Sequence, residues 1–144
     1  MKTVTTRFAR IKNGLPYAAV VSLTLMPNAT EQRIEISCDG DPRAGLSQGN
    51  IEEATKIGYE DWKSGAQAGV VFALKVADQT MCHVQIMRIR GMLTDTNPTI
   101  VGAAAALATW EALEFEPPQE VITRLEEQVF SSWSLAWDAI PQFS

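Results

Sequence analysis

The segment that most constrains the fold is Asp95-Thr96-Asn97-Pro98 and the run behind it, Ile100-Val101-Gly102-Ala103-Ala104-Ala105-Ala106-Leu107-Ala108. A polar cap followed by proline at the first helical position is a strong helix start, because the ring presets φ and its missing N–H had no partner there. Ile100, Ala103, Ala104, Leu107, Ala108 and Glu111 then recur at helical spacing. So much alanine lets the helix axis lie close to a sheet. The longest apolar stretch, Ile100 to Leu107, falls well short of the ~20 residues of a membrane span. With no apolar leader or small-residue cleavage site in MKTVTTRFARIK, the expectation is a soluble, cytoplasmic chain with no membrane partner.

Strands precede that helix. Residues 3–12 and 17–26 read as a hairpin around the turn signal Asn13-Gly14 with Pro16. A third strand, Arg33 to Cys38, alternates Ile34, Ile36 and Cys38 inward with Arg33, Glu35 and Ser37 outward. After a loop, 39–45, Asn50 with Glu53 resembles a capping box. The helix expected from it carries Ile51, Ala54, Gly58 and Trp62 on one face and stops at Ser64-Gly65. Gly58 in mid-helix would cost ~1 kcal/mol against alanine, which close packing on a sheet would offset. Residues 70–76 and 81–90 read as strands. In the second, Cys82, Val84 and Ile86 share one parity but Met87 and Ile89 the other, which suggests a bulge or a strand covered on both faces. Pro117-Pro118 opens a last helix with the stripe Ile122, Leu125, Val129, Trp133, Trp137.

The 144 residues suit one domain, and 46% hydrophobic with 20% charged is globular composition. Twelve basic residues against 17 acidic ones give −5, which excludes nucleic-acid binding by bulk positive charge. The charge is unevenly placed. Lys2, Arg7, Arg10 and Lys12 fall in the first twelve residues with no acid among them, whereas six acids face Arg124 alone after Glu111.

Chemistry needs groups that meet, and few do. The only histidine, His83, neighbours Cys82 on a strand, and strand neighbours point to opposite faces, a poor geometry for a Cys-His dyad. Cys38 and Cys82 could pair, but without Cys-x-x-Cys or a secretion signal two reduced, buried thiols are expected. Asp39, Asp41 and Asp95 sit where turns and caps favour aspartate, and one histidine makes no metal cluster. Gly40, Gly45 and Gly49 lack the Lys-Ser/Thr ending of a phosphate loop. No catalytic residue, metal or cofactor is expected. Arg7, Arg10, Lys75, Arg88 and Arg90 fall on expected strands; with Lys12 they form a weak candidate contact for RNA or a partner, with solvated strand ends as the plainer alternative.

Residues 49–65, continued by Ala68-Gly69-Val70-Val71, resemble domain IV of elongation factor G, with its helix, Gly stop, Gly turn and apolar strand at similar spacing. Leu93 to Pro98, leading into the alanine-rich helix, is similar to that family's Asp-x-Asp-Ser-Ser segment. The resemblance covers about residues 3–116. It implies an α+β fold: one mixed sheet of four to five strands, helices on one face, a left-handed β-α-β crossover, and here an extra C-terminal helix over 117–144. In that family loop tips of the domain reach the decoding centre. The corresponding turn here, Lys12 to Tyr17, is short and lacks histidine, and neither a GTPase domain nor GTP binding is expected. The broad fold also occurs in small-molecule kinases, whose Gly-rich phosphate loop this chain lacks.

The expectation is therefore a non-enzymatic, stand-alone interaction module, with a ribosome- or RNA-associated factor as the alternative. Phe130, Trp133 and Trp137 give the last helix an apolar stripe that must be buried. The expected site is the sheet face opposite the other helices, where arginines would meet Glu120, Glu126 and Glu127, within the chain or across a homodimer.

Overall fold

Alternation along the first two strands builds the sheet. In this computed structural model, which describes residues 1–40, 51–136 and 139–143, β1 (Lys2–Lys12) and β2 (Leu15–Met26) run antiparallel. Val4 stands opposite Leu23 and Phe8 opposite Ala19. Asn13 and Gly14 turn between them at φ 53 and 77, the two left-handed positions that a tight hairpin turn matching strand twist requires. β3 (Arg33–Ile36) lies parallel to β5 (His83–Met92), while the short β4 (Ile51–Glu53) runs antiparallel to the far end of β5. The sheet is mixed and five-stranded, ordered β1-β2-β5-β3 with β4 also beside β5.

The slipped pattern in β5 is a bulge. Ser22 faces Arg88 and Leu23 faces Ile86, so Met87 is the extra residue. It lets Ile86 and Ile89 both reach the core while Met87 and Arg88 both stay on the outer side.

Two expectations fail between residues 50 and 76. Residues 51–53 are β4, not a helix, and residues 70–76 are not a strand. A single helix, α1, spans Glu60–Val76 and runs through Gly65 without stopping. The chain instead breaks at Gly58 and Tyr59, at φ 101 and 56. Gly58 therefore sits in a bend, with open space where a Cβ would be. Val70, Ala73, Leu74 and Ala77 are buried at helical spacing, as Ala66 is before them. The Asn50 cap lies outside the described residues.

Helix α2 (Pro98–Leu113) starts as its sequence indicates, with the Asn97 side chain accepting from the Ile100 N–H at 2.9 Å. It is buried on nearly every side, between the sheet and α1. Close approach is made by glycine: a Cβ on Gly69 would collide with the Gly102 backbone, and one on Gly65 with Pro98. The Trp110 indole N–H closes the same contact, donating to the Ala73 carbonyl at 3.0 Å.

The last helix, α3 (Gln119–Phe130), buries Val121, Leu125 and Val129 and packs beside α2. Its docking corrects the expectation of the opposite face. Arg10, which Glu126 engages at 2.7 Å, shares strand parity with Val4 and Phe8, so it points to the helical side. The root of the hairpin is pinned as well: Ala18 donates to the Asp95 carbonyl at 2.9 Å, and its own carbonyl accepts from the Thr96 hydroxyl at 2.5 Å.

Candidate functional site

With α1, α2 and α3 on one side, the alternate residues of every strand form a face that no described helix covers. It carries Thr3, Thr5, Arg7 and Ala9 from β1 and Ala18, Val20, Ser22 and Thr24 from β2. The hydroxyls bond across the strands, Thr3 to Thr24 at 3.0 Å and Thr5 to Ser22 at 2.8 Å. Thr24 also reaches the Met87 sulfur at 3.0 Å. Their hydrogen-bonding needs are partly met from within, so the face is polar with part of its bonding capacity already used.

Arg7, Arg88 and Arg90 all rise from this face. Glu53, its side chain only 10% exposed, bonds the Arg90 Nε and lies 3.6 Å from the Arg88 Nε. One nearly buried carboxylate held by two guanidiniums compensates half their charge, and Arg7 has no ion-pair partner among the described residues. Arg7, Ala18, Val20, Ile51, Arg90 and Met92 line a shallow groove of about 330 Å³. Glu53 was hidden in the sequence, since its position suited the first turn of the expected helix rather than an edge strand.

The other three candidate cations go elsewhere. Arg10 holds Glu126 and packs 4.7 Å over the Phe8 ring, and Lys12 lies 4.7 Å over Phe130. Lys75 is on α1, exposed near its end. Phe130 meets Tyr17 edge to face at 5.2 Å, so it secures α3 to the hairpin. Trp133, on a short 3-10 turn after α3, is 40% exposed and shares a cleft with Tyr59, Trp62 and Leu93. Trp137 lies outside the described residues.

Nucleophiles are kept neutral. Cys38 and Cys82 are free and buried. Burial pushes the Cys38 thiol up to about 11 despite the opposing pull of nearby Lys63, and burial also raises Cys82. Cys82 points into the core while His83 is half-buried on the outer side, so the two do not form a dyad. Tyr59 is pushed up to about 12, first by burial and then by its hydrogen bond to Glu52 at 2.7 Å. Asp95 accepts from its neighbour Thr94 at 2.9 Å, local turn duty. Asp41 lies outside the described residues. Among the described residues no three metal-ligating side chains cluster, and no helix is long and apolar enough to cross a membrane.

No protein-family model matches the chain, and no curated protein matches it. Solved structures do. A crystal structure of a Thermus thermophilus protein superposes with a TM-score of 0.58 at 16% identity, covering 90% of this chain and 20% of that one. Mevalonate kinase superposes with a TM-score of 0.50 at 10% identity, covering 93% of this chain and 48% of that one. The chain thus spans a minor part of the first and about half of the second. Likeness at these identities shows a related fold and nothing of activity.

Proposed function

We propose that this chain is a non-enzymatic interaction module: a domain of the elongation factor G domain IV type over residues 1–116, with 117–144 packed on it, working in the cytoplasm. The observation that carries the reading is the uncovered sheet face. Val20, Met87, Met92 and Ile51 interrupt a field of cross-bonded hydroxyls and a half-compensated arginine pair. That mixture of small apolar area and satisfied polar groups suits a protein surface, and a second copy of the chain is the partner proposed. No cofactor, metal or GTP enters this reading.

An RNA-associated role is the second reading, favoured by Arg7, Arg88 and Arg90 sharing one face. Glu53 offsets one of the three positive charges, so few phosphates would be neutralised and the contribution would be modest and salt-sensitive.

Sedimentation of the intact protein and of Met87→Glu tests the first reading. Dimers in the wild type and monomers in the variant, with unchanged circular dichroism, are expected. A wild-type monomer that recovers RNase-sensitive material from lysate would replace it with the second; a monomer recovering none would overturn both.

A further inference from the structure

We infer that the outer edge of β1 is a docking edge for an extended, acidic segment of a partner protein, which adds as a further strand. β1 is a terminal strand of the sheet, paired only with β2. It is eleven residues long, and no other described backbone group bonds to it. An open edge of that length carries a row of N–H and C=O groups with the spacing of a strand, the main requirement for strand addition.

Charge selects the occupant. Lys2, Arg7, Arg10 and Lys12 lie on β1 and no acid does. If two copies paired antiparallel over the whole strand, Lys2 would face Lys12 and Arg7 would face itself. Glu114 and Glu126 pair with Lys2 and Arg10 from the helical side, so Arg7, which would face itself in that register and has no ion-pair partner among the described residues, is the charge that disfavours a second copy and favours an acid opposite it.

The side chains refine the sequence it takes. Lys2 is engaged by Glu114 at 3.2 Å, Arg10 by Glu126 at 2.7 Å, and Lys12 rests on Phe130. Arg7 keeps its guanidinium exposed on the open face, and four residues on, Ile11 is 79% exposed on the same face. An added strand would place an acid against Arg7 and an apolar residue against Ile11, four positions apart. The backbone contact runs along the rim, while the Arg7 and Ile11 contacts use the margin of the open face.

The test uses a ten-residue fluorescent peptide of alternating threonine and valine, with a glutamate four positions from an isoleucine, titrated against the full chain. Binding at least tenfold tighter than the same peptide with lysine for glutamate is expected, with slowed amide exchange along β1. Arg7→Glu should invert the preference, and Ile11→Lys should weaken the glutamate peptide. Both positions are exposed, so both variants should fold. Met87→Glu, away from the rim, should bind like wild type, which separates this edge from the face. Equal affinity for the two peptides, no binding of either, protection confined to other strands, or a wild-type dimer formed through β1 would each overturn the inference.

Discussion

The two faces of β2 are built from alternate residues of one strand, yet they obey different rules. Inward, Tyr17, Ala19, Val21, Leu23 and Leu25 are almost wholly removed from water beneath α2. Outward, Ala18, Val20, Ser22 and Thr24 are half-buried and meet mainly their cross-strand neighbours. The inner set is chosen for volume, because a close-packed interior registers the loss of each methylene. The outer set is chosen for polar satisfaction and small size. Stability is thus concentrated on one face, and substitution is cheaper on the other.

Adjacent residues on β1 test that division most severely. Phe8→Ala should cost ~3–5 kcal/mol, since the ring is fully buried and leaves a cavity under α2. Arg7→Ala, one residue away on the other face, should stay within ~0.5 kcal/mol. Urea midpoints measure both, and comparable losses would erase the distinction between the faces. Gly69→Ala should destabilise by ~1–3 kcal/mol, since its methyl would meet the Gly102 backbone and neither helix can yield alone. Gly58→Ala meets nothing and should lose only the ~1–2 kcal/mol of a left-handed residue. Equal costs would mean that helix proximity is not what limits Gly69.

Smaller effects come from pH. Cys38 and Tyr59 are both held neutral, with folded values above their ordinary ones, so their contribution is complete below the ordinary value and lost as pH rises. For Tyr59 the window runs from 10.0 to about 12, and for Cys38 from 9.0 to about 11. Unfolding midpoints should fall through that range, less steeply between pH 10 and 12 in Tyr59→Phe; an unchanged slope would remove Tyr59 from the account. The smallest expected change is Arg10→Ala, ~0–1 kcal/mol, because its pair with Glu126 is partly solvated and salt screens it. A larger loss would mean that the cation anchors α3 more firmly than its apolar stripe does.

What the sequence made legible follows the same physics. Period-two alternation located the hairpin and β3, and the parity slip at Met87 announced the bulge, because core-facing residues must be apolar. Asn97-Pro98 marked α2 through local chemistry alone. The first helix was misplaced because its signals have other causes. Gly65 serves close helix approach rather than a stop, and Val70 to Val76 alternate by coincidence with a stripe whose buried members are Val70, Ala73 and Leu74. Its true start has no side-chain cap, only Tyr59 in a left-handed conformation. The open face was half legible. Strand parity separates Arg7 from Arg10, but Glu53 joins the arginines only through β4, a three-residue strand too short to leave a pattern.

The pinning of Ala18 makes the hairpin a cantilever. β5 supports β2 only from Val20 onward, so the segment from Ala9 around the turn to Ala18 projects past the rest of the sheet. Its fulcrum is Ala18, clamped through both its N–H and its carbonyl to Asp95 and Thr96. Those residues lead directly into Asn97 and the first turn of α2. A lateral push on the Asn13-Gly14 tip is therefore shared between the start of the most deeply buried helix and α3, which braces the same segment through Arg10, Lys12 and Tyr17.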